Sequence, residues 1–227
     1  MNKYLPRNKA YERRAPVKDA KKLYVISEGA DKEYFYFLYF RELSSNIDIV
    51  PIPSEGGKTD PVKLKEQACA LFKGEKARYQ IDEKQGDEIW FVIDTDRWNE
   101  GDKISALRNF CKVENSMSES RRDIWNVAQS NPCFEIWLYY HFYDSKPAET
   151  DLEAYSSFKA FTDDSIRGGF DNRKHPCRIG NAIDNSEKNF EQADGQPALY
   201  STELFALGKI IYAFVGDAIR HILSTIR

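Results

Sequence analysis

The sequence predicts an α/β fold, a mostly parallel four-stranded sheet flanked by helices and followed by a helical C-terminal subdomain. Three observations carry this. Short apolar runs at 23–27, 48–53, 89–93 and 123–129 alternate with longer stretches whose apolar residues recur at helical spacing, the pattern of parallel strands joined by right-handed crossovers. The run Ile89, Trp90, Phe91, Val92, Ile93 is apolar throughout, as a strand covered on both faces must be. From residue 147 onward strand-like runs stop, and helical stretches follow at about 152–162, 179–192 and 202–226. The chain is thus read as a basic arm (1–22), an α/β domain (23–146) and a helical subdomain (147–227) packed on it.

Taken in order, residues 23–27 (LYVIS) form the first central strand, which ends at Glu28-Gly29. Asp31 is placed to cap the next helix, 32–43, which is apolar on nearly every side and so buried. Residues 48–53 form a second strand near an edge, because Pro51 cannot donate a ladder hydrogen bond. A loop follows at 54–59, then a helix over 61–79 with Thr59 or Asp60 as cap and Pro61 in its first turn. The loop's Gly57-Lys58-Thr59 is not a phosphate-binding P-loop, since the first glycine of that motif would fall at Ile52. The third strand stops at Asp94 and Asp96, and Ile104, Leu107, Phe110 and Cys111 give an amphipathic helix. After the fourth strand, Asn131 is expected to cap a helix with Pro132 and Glu135 in its first turn. His141 on that helix reads as a hydrogen-bonded core histidine.

Composition sets limits on function. No apolar stretch approaches a membrane span, and the start MNKYLPRNKAYERR lacks the apolar core of a signal peptide; a cytoplasmic protein with no membrane association is expected. Cys69, Cys111, Cys133 and Cys177 form no CxxC pair and read as reduced buried thiols. Residues 1–22 hold eight Lys or Arg against Glu12 and Asp19, so with a net charge of −3 overall the remaining chain carries −9. A basic arm on an acidic body suits a phosphate backbone or an acidic partner, or is a solvated tail.

The chemistry-bearing residues gather at strand ends. Asp94 and Asp96 end one apolar strand and Glu28 ends another, and in open α/β sheets functional groups collect at this carboxyl edge. Two hard oxygen ligands one residue apart suit Mg²⁺ or Mn²⁺; the alternative is that they cap the next helix. Glu135 leaves the same edge and either points into one acidic cluster with them or compensates a helix dipole. The turn-rich stretch 168–178 adds Arg173, Lys174 and Arg178.

Assembled, the order is strand, Glu28-Gly29, helix; strand, Asp94-Thr95-Asp96; then SNPCFEIWLYYHF from Ser130, and a late helix after Pro-x-x-x-Ser-Thr at Pro197. This resembles the RloB-like proteins, a bacterial family with a Toprim-like domain, from about residue 22 to the C-terminus. Its most specific element is SNPCFEIWLYYHF; Glu-Gly and Asp-x-Asp in this order are shared with Toprim domains generally. Ser27 departs from the apolar or small residue frequent before the glutamate. The resemblance implies a Toprim-like fold and metal-dependent phosphodiester chemistry in anti-phage defence beside restriction-modification loci. By this match Glu28 is the general acid/base and shares the metal with Asp94 and Asp96, while Glu135 is the acidic residue of the family's own segment. Catalytic candidates are therefore Glu28, Asp94, Asp96 and Glu135, metal candidates Glu28, Asp94 and Asp96 with Mg²⁺ or Mn²⁺, and nucleic-acid contacts Arg97, Arg173, Lys174 and Arg178. The expected partners are DNA or RNA and a regulatory protein encoded nearby, with the oligomeric state open.

Two other readings stand beside this one. A non-catalytic effector module would keep the acidic edge to bind a nucleotide or a protein. A haloacid-dehalogenase-type phosphatase would use Asp94 as nucleophile, although there the Asp-x-Asp pair follows the first strand and here it follows the third.

Overall fold

The computed structural model describes residues 20–29, 31–54, 60–95, 102–118 and 122–225. Most of the basic arm, the loop lysine Lys58, and both Asp96 and Arg97 lie outside the described residues. Strands β1 (Lys21–Ser27), β2 (Ile47–Pro53), β3 (Glu88–Asp94) and β4 (Trp125–Asn131) alternate with helices α1 (Lys32–Leu38), α2 (Pro61–Phe72) and α3 (Lys103–Met117). They are followed by α4 (Glu135–Tyr139), α5 (Glu149–Leu152), α6 (Phe158–Ser165) and α7 (Ile179–Lys188). Three two-residue strands, β5 (Gln192–Ala193), β6 (Gln196–Pro197) and β7 (Ser201–Thr202), precede the long α8 (Leu204–Thr225).

The main sheet has the order β2-β1-β3-β4-β7. Its first four members are parallel, with Val25 opposite Pro51 on one side and Trp90 on the other, and β7 closes the far edge antiparallel. The expected α/β architecture is therefore present with a fifth strand added. Two residues are too short a run to be legible, and Ser201 and Thr202 join only because they meet Asn131 and Ser130 across space. As expected, β2 is an edge strand.

Both faces of the sheet are buried, which explains the continuous apolar runs. Leu23, Val25, Trp90 and Val92 pack with α1, α4, α7 and α8 on one face. Tyr24, Ile26, Ile89, Phe91 and Ile93 pack with α2 and α3 on the other. The chain runs from β1 outward to β2, then returns past β1 to β3. The strand order thus reverses between β1 and β3, and the carboxyl ends of strands at such a reversal open a crevice where open α/β sheets bind ligands.

Several element ends differ from expectation. Helix α1 closes at Leu38, after which Phe40, Arg41 and Leu43 donate to the carbonyls of Phe37, Leu38 and Phe40 in tighter i→i+3 turns. The Asp31 side chain makes no capping bond. Helix α2 is capped by Asp60, whose carboxylate accepts the Val62 N–H at 2.8 Å, but it stops at Phe72 and not near residue 79, because Gly74 takes φ +80° and turns the chain. Strand β4 is shifted two residues toward the C-terminus. The Asn115 side chain takes up the N–H groups of Ile124 and Trp125 at one end, and β7 extends the ladder through Asn131 at the other. Asn131 is consequently the last residue of β4 and not a helix cap, the Asn131–Pro132 peptide is cis, and Glu135 itself opens α4. The stretch expected to be one helix over 152–162 is divided into α5 and α6, the second capped by Ser157 through Ala160 N–H.

Candidate functional site

Glu28 and Asp94 end the adjacent parallel strands β1 and β3. The Glu28 N–H donates to the Val92 carbonyl at 3.1 Å, and the Asp94 N–H donates to Glu28 Oε2 at 3.2 Å. Two serines fix the turn here. Ser27 donates to the Gly29 carbonyl at 2.9 Å, and Ser54, at the end of β2, donates to the Glu28 carbonyl at 2.8 Å. Ser27 is thus part of what shapes the loop behind the glutamate.

Asp94 is held from the other side as well. Its Oδ1 accepts the Phe134 N–H at 2.8 Å, which ties the end of β3 to the entry of α4 and brings Glu135 to the same edge. Asp94 is 7 % exposed and Glu135 4 %. Burial, then the charges of Glu28, Glu33 and Glu135, push the Asp94 carboxyl well above its ordinary range, with Lys159 opposing. A buried carboxyl among like charges is the arrangement that an added cation relieves.

From sequence Glu33 reads only as an acidic residue in the first turn of α1. Its carboxylate lies against Gly29 so closely that a Cβ there would fall 1.8 Å from Glu33 Oε2. The glycine of Glu-Gly therefore makes room for a second carboxylate, in addition to allowing the turn. Burial raises the Glu33 carboxyl, assisted by Glu135 and offset by its own backbone N–H, Lys159 and Lys32.

Two lysines face these acids. Lys32 reaches Glu135 Oε1 at 3.1 Å and Asp163 at 3.5 Å. Burial alone would lower its ammonium, but Glu135 and Asp163 together hold it above its usual value. Lys159, from α6, is likewise raised by Glu135, Asp94, Cys133 and Glu33 against the effect of burial. Glu135 Oε2 remains buried with no hydrogen-bond partner, a state that ordinarily costs about 1–3 kcal/mol or more for a charged group.

A family model described as RloB-like protein matches residues 23–209. The chain belongs to the RloB-like family. No curated protein and no solved structure matches it.

In this RloB-like chain, three of the four acidic candidates, Glu28, Asp94 and Glu135, are brought to one strand edge, and the fourth, Asp96, lies outside the described residues. Among the described residues no set of three or more His, Cys, Asp or Glu side chains is arranged to hold a metal ion as it stands. The donor set is nevertheless all oxygen, suited to a hard cation, and includes the unpartnered Glu135 Oε2.

Of the cationic candidates, Arg97 is outside the described residues. Arg173 is exposed and paired through Nε and Nη2 with Asp171 at 3.0 and 3.1 Å. Lys174 is exposed, and Arg178 lies over the Phe142 ring at 5.0 Å from its centroid. Asn172 carries their loop to α1 by donating to the Lys32 carbonyl at 3.2 Å.

His141 is a core histidine. The Trp137 carbonyl can only accept, so His141 Nδ1–H donates to it (2.9 Å), and Nε2 then accepts the Tyr36 hydroxyl (3.1 Å). Burial drives its pKa down to about 3. All four cysteines are free, and among the described residues no helix is long and apolar enough to cross a membrane.

Proposed function

We propose that this RloB-like protein is a divalent-metal-dependent nuclease of the Toprim type, cleaving phosphodiester bonds in DNA or RNA as part of anti-phage defence. One observation supports it above the others: Glu28 and Asp94 face each other at the reversal of strand order, with Glu33 and the unpartnered Glu135 oxygen beside them. Glu28, Asp94 and Asp96 would hold Mg²⁺ or Mn²⁺, which when bound neutralises phosphate charge and lowers the pKa of a bound water. Glu28 is the proton-handling group. Asp94 is oriented by the Phe134 N–H, and Lys32 restrains Glu135 through Oε1, leaving Oε2 free. Arg97, Arg173, Lys174 and Arg178 would orient the backbone without reading sequence, the last three from a loop tethered to α1 by Asn172.

The test is cleavage of plasmid, single-stranded DNA and total tRNA by the full chain with Mg²⁺ or Mn²⁺, beside Glu28→Ala. Metal-dependent cleavage lost in the variant supports the reading, and cleavage that survives in Glu28→Ala or in chelator sinks it.

A second reading, a non-catalytic effector of the same fold, is favoured by Lys32 and Lys159, whose ammonium groups already offset part of the acidic charge. Its sign would be ligand binding without divalent metal and no turnover on any of these substrates.

A further inference from the structure

β7 covers β4 only at Ser130 and Asn131, and the rest of that edge carries a gap of one residue. Ile89 N–H donates to the Ile124 carbonyl and Thr95 N–H to that of Ser130, so even-numbered residues of β4 bond to β3 and the odd-numbered ones present their N–H and C=O outward. At Trp125 the Asn115 amide takes both groups, accepting the N–H and donating to the carbonyl, each at 2.8 Å. At Gln129 Glu203 does the same, its carboxylate accepting the N–H at 3.0 Å and its own N–H donating to the carbonyl at 2.9 Å. Asn131 pairs with β7. Between these, the outward groups of Val127 meet no hydrogen-bond partner among the described residues.

Val127 lines a cleft of about 580 Å³ that extends from α3 to Gly195, at the tip of the β5–β6 hairpin. Arg108, Lys112 and Arg122 line it as well, against Asp123. Arg108 is already paired with Glu203 at 2.6 Å, while Lys112 and Arg122 are exposed. The two capped positions, Trp125 and Gln129, lie roughly 13 Å apart along the strand, room for a segment of about three extended residues.

We propose that this edge docks an extended, acidic segment of a partner protein, which adds a short strand at Val127 and sets its carboxylates against Lys112 and Arg122. Strand addition to an open sheet edge takes affinity from main-chain bonds and specificity from flanking side chains. A donor and an acceptor side by side suit a peptide; a phosphodiester backbone could satisfy the N–H but not the carbonyl. A second copy paired edge to edge about a two-fold axis would bring the same cations face to face, and the chain's own residues 1–22 are basic. The inference is independent of any chemistry at Glu28 and Asp94.

The probe is a fluorescein-labelled, end-blocked hexapeptide of alternating glutamate and valine, titrated with the full chain by anisotropy. Saturable binding is expected, weakened about tenfold or more in Lys112→Glu/Arg122→Glu, and weakened similarly when the two central peptide nitrogens are methylated, a change that leaves the protein untouched. A lysine–valine hexapeptide should not compete. The proposal is overturned by no saturable binding, by equal affinity of the methylated peptide or of the charge-reversed protein, or by a single-stranded oligonucleotide displacing the probe more readily than unlabelled peptide does.

Discussion

The Asp94 N–H donates to Glu28 Oε2 while Asp94 Oδ1 accepts from Phe134, so the last residue of β3 is clasped between the end of β1 and the start of α4. Asp94 is therefore fixed among carboxylates that repel it. Asp94→Asn keeps an oxygen for the Phe134 N–H and removes the repulsion. It should raise the Tm of the metal-free protein by roughly 2–4 °C for each kcal/mol recovered while weakening divalent binding. Because the folded-state pKa of Asp94 is raised, the wild type is destabilised by the charged form above the ordinary carboxylate range and regains stability as pH falls toward that range. The Tm advantage of Asp94→Asn should therefore be largest near neutrality and close up toward pH ~4, as scanning calorimetry across pH would show.

Gly29→Ala should act through Glu33. The three atoms nearest the added methyl all belong to the far end of that flexible side chain, so the fold should persist while the carboxylate is displaced. Mn²⁺ affinity by calorimetry should fall about tenfold, and in a Glu33→Ala background Gly29→Ala should add nothing, the signature of two residues acting through one contact.

His141 should govern part of the acid limb of stability. Its folded pKa of about 3 lies below the unfolded value of 6.5, so stability is intact above pH 6.5 and is lost as pH falls toward 3, by roughly 2 kcal/mol at pH 5 if this group acts alone. In Tyr36→Phe/His141→Phe, which removes both hydrogen-bonded partners, denaturant titrations at pH 7 and pH 5 should show that portion of the acid sensitivity gone.

Lys174→Ala should lower nucleic-acid affinity with no change in sequence preference and reduce the slope of log K against log salt by about 1. Arg173→Ala should do less, because that guanidinium is held by two hydrogen bonds to Asp171, at 3.0 and 3.1 Å, whereas Lys174 approaches the same carboxylate only at 3.8 Å. Fluorescence titrations at several salt concentrations separate the two.

The sheet was legible because each central strand is buried on both faces and so is written as an unbroken apolar run, as in Leu23 to Ile26 and Ile89 to Ile93. Glu28 and Asp94 were legible because they end such runs. The lysines were not: Lys32 meets Glu135 across 103 positions of sequence, and nothing local to Lys32 or Lys159 announces an acidic neighbour. Glu33 carried one available signal, an acidic residue one helical turn beyond Glu-Gly, which helix-dipole compensation explains equally well. Asn131 ends β4 although its local chemistry, a polar residue before proline, matches a helix cap, because the two-residue β7 that keeps it in the sheet is set by tertiary contact.

The bond from Phe134 N–H to Asp94 passes through the main chain, so it depends on the spacing of this link, while the Phe134 ring is separately fixed by its place in the core against Tyr36 and Phe37. Gaining or losing one residue between Asn131 and Glu135 would unhook α4 from β3 or swing Glu135 by about 100° around its helix, away from Glu28. Across relatives of this chain, the count of residues in that link should stay constant.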